Sequence, residues 1–164
     1  MEYNLMNNLE IEEDITEEDT LKDRYLTFIL GEESYLVDIQ YVTEIIGIQQ
    51  TTLVPETPNY IKGVINLRGK VIPIMDVRLR FKVESIPTND RTCIVVLNCN
   101  DLTIGMIVDM VSDVVYITKD QIEFTSKTEI GGDKQIVMGM AKLGDTVKML
   151  VDIEKLLFDE KKET

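Results

Sequence analysis

The sequence predicts a mainly β protein built as two similar halves, each a small five-stranded barrel with short helices. Three observations carry that prediction. About ten short apolar or alternating runs follow one another, punctuated by Gly, Asn, Asp and Pro, which is the rhythm of barrels and sandwiches. Helical patterns are few and short. The chain also repeats itself. Ile61 to Phe81 slides by 76 positions onto Val137 to Leu157 without a gap. Gly63 falls on Gly139, Leu67 on Leu143, Val71 on Val147, Ile74 on Leu150 and Asp76 on Asp152. V-S-D-V-V at 111 to 115 likewise matches V-T-E-I-I at 42 to 46, here with an offset of 69, so the second half holds seven extra residues between the two matches.

Taken in order, residues 1–23 carry nine acidic side chains against Lys22 alone. They read as a mostly disordered, solubilising tail. From Arg24 the pattern turns to β: Y-L-T-F-I-L is a strand, Gly31-Glu32-Glu33 a turn and S-Y-L-V-D-I a second strand. Tyr41, Val42, Ile45 and Ile46 then fall at helical spacing, with Gly47 placed to stop a short helix. I-Q-Q-T-T-L-V reads as a further strand, and P-E-T-P-N as a loop because two prolines break regular structure. The hairpin I-K-G-V-I-N-L-R-G-K-V-I-P-I-M follows, with Arg68 and Gly69 at its tip, since glycine supplies the positive φ of a tight turn. Asp76 then stands where an N-cap precedes a short helix.

After a polar connector the second half opens at Thr92 with T-C-I-V-V-L, a turn at N-C-N-D and L-T-I-G-M-I-V. Cys93 and Cys99 lie in or beside the first of these strands, and strand parity, with a turn starting at Asn98, points them to opposite faces if both lie in one strand. Both read as small core residues. The extra residues of this half fall in the polar loop K-T-E-I-G-G-D-K-Q, turning at Gly131-Gly132. D-I-E-K-L-L-F closes the chain as a helix with Ile153, Leu156 and Leu157 inward, before a solvated tail at 159–164. Residues 24–158 thus form one domain with halves at about 25–82 and 91–158. Either each half closes alone or the two exchange strands.

Composition narrows the function. Net charge is −13, and an acidic surface repels phosphate backbones and anionic lipid alike, so neither nucleic acid nor a membrane surface is an expected partner. No run reaches the roughly 18 apolar residues of a spanning helix, and the N-terminus lacks a secretory pattern, so the expected compartment is the cytoplasm. The chain has no histidine, which removes the residue best suited to proton transfer near neutrality. It has no P-loop, no dinucleotide fingerprint and no spacing of metal ligands. Asp76 and Asp152 repeat at the same structural place and read as helix caps rather than catalytic carboxylates. The eight methionines read as core filling. No catalysis, cofactor or metal is therefore expected, and a groove between two similar halves suits a helical partner.

Arg68 does not repeat: its counterpart is Gly144. A residue that the scaffold does not need twice is the better candidate for function, although an exposed arginine can also simply pair within its own chain, here with Glu44.

The runs Y-L-T-F-I-L-G-E-E-S-Y-L-V-D-I-Q-Y-V-T-E-I, P-N-Y-I-K-G-V-I-N-L-R-G-K-V-I-P-I-M-D-V-R and the closing D-I-E-K-L-L resemble those of the CheW chemotaxis coupling proteins, in register from about Tyr25 to Phe158. The resemblance implies two SH3-like barrels related by a pseudo-twofold. It implies a non-catalytic adaptor between the cytoplasmic helical hairpin of methyl-accepting chemoreceptors and the regulatory domain of the histidine kinase CheA. Such adaptors sit in the cytoplasm at receptor arrays, in rings that include further copies. On that basis Val42, Glu44, Ile45 and Arg68, with Thr92 and Cys93 adjoining, are the expected receptor-binding residues. Gly31, Glu32 and Glu33 are the candidates for the kinase contact. The competing readings are a scaffold of a non-flagellar chemosensory array and a β-barrel that binds a small molecule.

Overall fold

A computed structural model describes residues 21–125 and 136–158. The acidic tail up to residue 20, the loop expected at 127–135 and the closing tail at 159–164 lie outside the described residues. Strands β1 (Arg24–Leu30) and β2 (Glu33–Asp38) form a hairpin, and a 3-10 turn at Ile39–Tyr41 leads into β3 (Val42–Gly47). The hairpin β4 (Ile61–Leu67) and β5 (Lys70–Asp76) runs into the one-turn helix α1 (Val77–Arg80). The second half repeats this order with β6 (Cys93–Cys99), β7 (Leu102–Val108) and β8 (Met110–Tyr116). A 3-10 turn at Lys119–Gln121 and β9 (Ile122–Phe124) follow, then β10 (Val137–Leu143), β11 (Thr146–Val151) and α2 (Ile153–Leu157). The expected caps are in place: Asp76 accepts from the Arg78 amide at 3.0 Å and Asp152 from the Lys155 amide at 3.2 Å.

The strands form two sheets, in the orders β8-β1-β2-β11-β10-β9 and β3-β6-β7-β5-β4. Exchanging each strand for its repeat turns the first five strands of one sheet into the other. Each sheet therefore takes a hairpin, β1–β2 or β6–β7, from one half and its flanking strands from the other half. Two of the four joins between the halves are parallel, β11 beside β2 and β5 beside β7; the other two, β1 with β8 and β3 with β6, are antiparallel, as is every hairpin. One sheet has six strands rather than five, because β9 has no full counterpart among the described residues.

Alternation along the hairpin strands divides the core into three. Leu26, Phe28 and Leu30 of β1 meet Val95, Leu97 and Cys99 of β6 in a central layer that also takes in Ile153 and Leu156. The opposite faces fill the two barrels, with Tyr25, Leu36 and Leu150 in one and Ile72, Ile94 and Val96 in the other. Cys93 packs against the same central layer as Cys99. The expected opposite orientation is thus corrected: the strand continues through Asn98, and residues six apart share a face.

Two further expectations are revised. Val42–Gly47 is a strand and not a helix. Its residues are largely β-branched, and pairing with β6 gives them a ladder that a single helical turn cannot match. The strand expected at Ile48–Val54 shrinks to one bridge, Thr52 to Val64, with both backbone bonds at 2.9 Å. Pro55 and Pro58 limit its extension. That bridge explains Gly63, whose φ is +144°: a Cβ there would stand 2.4 Å from the Thr52 carbonyl oxygen. In the second half the same place is occupied by β9 against β10.

Candidate functional site

The β4–β5 turn holds two residues between the paired Leu67 and Lys70. Arg68 has φ +51° and Gly69 φ +86°, as in the type I′ turn that matches strand twist. Asn66 Oδ1 accepts from the Gly69 amide at 2.8 Å across the turn. Arg68 thus stands at a hairpin tip, its side chain 68% exposed, and donates from Nη2 to Glu44 Oε2. The in-chain partner expected for Arg68 is real. Exposed ion pairs of this kind contribute about 0–1 kcal/mol, so the pair orients Arg68 more than it stabilises the fold.

Glu44 reaches that point because β3 carries a bulge. Val42 pairs with Leu97, but Glu44 pairs with Val96 and Ile45 with Val95. The extra residue puts Val42 and Ile45 on one face of the sheet, opposite two neighbours of the central layer. Glu44 and Ile46 take the barrel face, where Ile46 packs into the core beside Ile94. Helical spacing suggested that Val42 and Ile45 act together; a bulged strand achieves the same juxtaposition. Thr43 lies at the bulge and donates from its hydroxyl to the Val96 carbonyl at 3.2 Å.

Cys93 pairs with Gly47 across the same face, so Val42, Ile45 and Cys93 line one strip. Val42 and Cys93 are half-buried, while Ile45 is 38% exposed. Burial pushes the Cys93 thiol above its ordinary pKa, which keeps it a neutral apolar contact rather than a nucleophile. Beside it, the Thr92 hydroxyl accepts the Asn89 amide at 2.9 Å and closes the turn before β6.

Gly31, with φ +63°, turns β1 into β2, and Glu32 and Glu33 are exposed beside it. The Gly31 amide donates to Asp109 Oδ2 at 2.6 Å. Arg78 holds the same carboxylate with two bonds, 3.0 Å from Nε and 2.7 Å from Nη2, and donates to the Glu84 carbonyl at 3.1 Å. The Arg78 side chain, and next the Gly31 amide, draw the Asp109 carboxyl below its ordinary pKa against the effect of burial. A pocket of about 240 Å³ opens alongside, lined by Lys62, Arg78, Thr88, Thr92 and Asp109 among others. No buried side-chain polar atom lacks a partner among the described residues.

Sequence reasoning missed Arg78, Arg80 and Asp109. Arg80 is buried, and donates to the carbonyls of Leu156 at 3.0 Å and Lys155 at 2.8 Å, with its guanidinium 5.0 Å from the Tyr60 ring centre. A signal existed. Offset by 76, Arg78 and Arg80 fall on Glu154 and Leu156, so neither arginine is duplicated, which is the same asymmetry that marks Arg68.

The CheW-like domain family matches residues 24–161. The chain belongs to the CheW-like family. The chemotaxis protein CheW of Klebsiella aerogenes is 39% identical over 142 residues, covering 87% of this chain and 86% of that protein. CheW of Helicobacter pylori is 31% identical over 134 residues, 82% and 81% of the two chains. Protein PilI of Pseudomonas aeruginosa is 30% identical over 84 residues, 51% of this chain and 47% of its own. Among solved structures, the scaffolding protein TtCheW from Thermoanaerobacter tengcongensis superposes with a TM-score of 0.77 at 32% identity, covering 84% of this chain and 89% of that one. The mainly β fold of two SH3-like barrels is that of the CheW family, and with it comes the broad role of a CheW-type chemotaxis scaffold. No helix among the described residues is long and apolar enough to cross a membrane.

Proposed function

We propose that this chain is a non-catalytic adaptor that couples the cytoplasmic helical hairpin of chemoreceptors to the regulatory domain of the kinase CheA, in the cytoplasm at receptor arrays. One observation carries the reading: a directional cation, Arg68, oriented by Glu44 on the barrel face, stands at the edge strand β3, whose other face carries an apolar strip of Val42, Ile45 and Cys93. A helix offers its partner an apolar stripe flanked by polar groups, and the β3 edge offers both an apolar and a charged contact to such a stripe. The guanidinium adds a fork of donors for a carboxylate or for backbone carbonyls. Thr92 supports the strip by setting the turn that delivers Cys93. The β1–β2 turn at Gly31, Glu32 and Glu33, braced by Asp109, is the proposed kinase contact, and further copies of the chain join the resulting rings. The strand exchange supports one working domain over 24–158 rather than two separable halves.

Titration calorimetry tests this with a purified CheA regulatory domain, before and after addition of a receptor-tip hairpin. Saturable binding to both without competition is the expected result. Arg68→Ala and Arg68→Glu should weaken receptor binding, the second more strongly, with thermal stability unchanged. If the folded protein binds neither partner, the adaptor reading fails. Binding to the components of a non-flagellar array instead would favour the second reading.

A further inference from the structure

Arg68 is a bulky L residue in the left-handed region, φ +51°. That conformation crowds a Cβ and is usually left to glycine, asparagine or aspartate. The second half shows the unstrained solution: its turn sits between Leu143 and Thr146, and the position of Arg68 is filled by Gly144 at φ +65°. The first half keeps the two-residue length but has both Arg68 and Gly69 at positive φ, with an arginine in the unfavourable place, so something must hold it there. The hydrogen bond from the Gly69 amide to Asn66 Oδ1, 2.8 Å, is the side-chain device that does so. It spans the turn, and a short polar side chain of this kind stabilises turns by bonding nearby backbone amides. The counterpart of Asn66 is Lys142, which has no acceptor to offer and stands before a turn that needs none.

We infer that Asn66 is a positioning residue for partner recognition: by bridging the turn it holds Arg68 in its left-handed conformation and so aims the guanidinium beside Glu44. Asn66 is exposed and fills no core, so its role is separable from folding. The inference rests on the reading of Arg68 as the receptor contact, and the experiment keeps the two apart.

The test is a double-mutant cycle in the full chain, with titration calorimetry against a soluble chemoreceptor hairpin fragment and thermal unfolding of each variant. Asn66→Ala should weaken binding about fivefold, and Asn66→Asp, which retains the acceptor, should return it to within about twofold of wild type. In an Arg68→Ala background, Asn66→Ala should have no further effect, because its action passes through Arg68. Unchanged binding by Asn66→Ala while Arg68→Ala is weakened would overturn the inference. So would an equal loss from Asn66→Ala in both backgrounds, since Asn66 would then act on the partner by itself. Normal binding by both single variants would instead overturn the receptor reading on which the inference stands.

Discussion

Replacing Arg80 should strongly destabilise the fold. Arg80 leaves α1, which continues from one sheet, and ends on the last carbonyls of α2, which continues from the other. It is only 7% exposed. Hydrogen bonds from a charged donor contribute about 1.5–3 kcal/mol each, so losing two of them costs about 3–6 kcal/mol in Arg80→Ala. The loss is deepened because α2 carbonyls satisfied by Arg80 are left without that donor. At about 2–4 °C per kcal/mol for a chain of this size, Tm falls by roughly 10 °C. Arg80→Leu separates packing from bonding. Leucine is the residue the second half has at this position, Leu156, and it restores apolar volume while leaving the carbonyls unpaired, so it should recover only part of the loss. Urea unfolding, followed by circular dichroism, gives both values. A loss below about 1 kcal/mol for Arg80→Ala would mean that water satisfies the α2 terminus equally well, and the reasoning would fail.

Three further outcomes follow from the same geometry. The Asp109 carboxyl has a depressed pKa in the folded protein, so its pairing stabilises the fold above the unfolded value of about 3.9 and is lost as pH falls through the folded one; urea titrations from pH 6 to pH 3 should show a steeper loss in wild type than in Asp109→Asn. Gly63→Ala would drive a Cβ to 2.4 Å from the Thr52 carbonyl oxygen at φ +144°, so the bridge must break, with a cost of about 2–3 kcal/mol by thermal unfolding. A fragment ending in the 82–91 connector should remain unfolded, because β1–β2 would lack β8 and β11 while β4–β5 would lack β7; mixing it with the second-half fragment should restore the circular dichroism of the whole, and a folded single fragment would refute the exchange.

Much of the fold was legible because the repeat is local. Hairpins β1–β2, β4–β5, β6–β7 and β10–β11 each follow from alternation and a turn residue, and both helix caps follow from one aspartate each. What lay beyond the sequence is non-local. The parallel joins of β5 to β7 and β11 to β2 decide that strands are exchanged, and no local pattern distinguishes them from closure within each half. The segment Val42–Gly47 shows the same limit in small. Its apolar residues at 42, 45 and 46 fit a helix, and only the bulge opposite Val96 reveals how a strand can place 42 and 45 together. At the site, Arg68 was legible by its absence from the second half, whereas the Asn66 and Thr43 bonds depend on turn and bulge geometry that composition does not encode.

The duplication also separates what Glu44 does from what Arg68 does. An acid recurs at this place in the second half as Asp113, and it too has a basic partner, Lys148 at 3.6 Å. There the cation comes from within β11, its side chain only 12% exposed, and it also reaches the Thr27 hydroxyl at 3.0 Å. In the first half the residue at the position of Lys148 is Ile72, buried in the barrel, so no strand residue there can serve the acid. The charge is supplied instead from the hairpin tip. β3 and β4 are the two edges of their sheet, and Glu44 on one edge meets the turn leaving the other, so the ion pair also lies across the mouth of the barrel. The carboxylate thus meets a cation in both copies. What changed in the first is the source of the cation, moved from a strand interior to a turn where two-thirds of the arginine faces solvent. Nothing in the closure of the barrel requires that exposure, since the second copy places its cation inside the strand, and this asymmetry supports the proposal that the exposed guanidinium serves a partner.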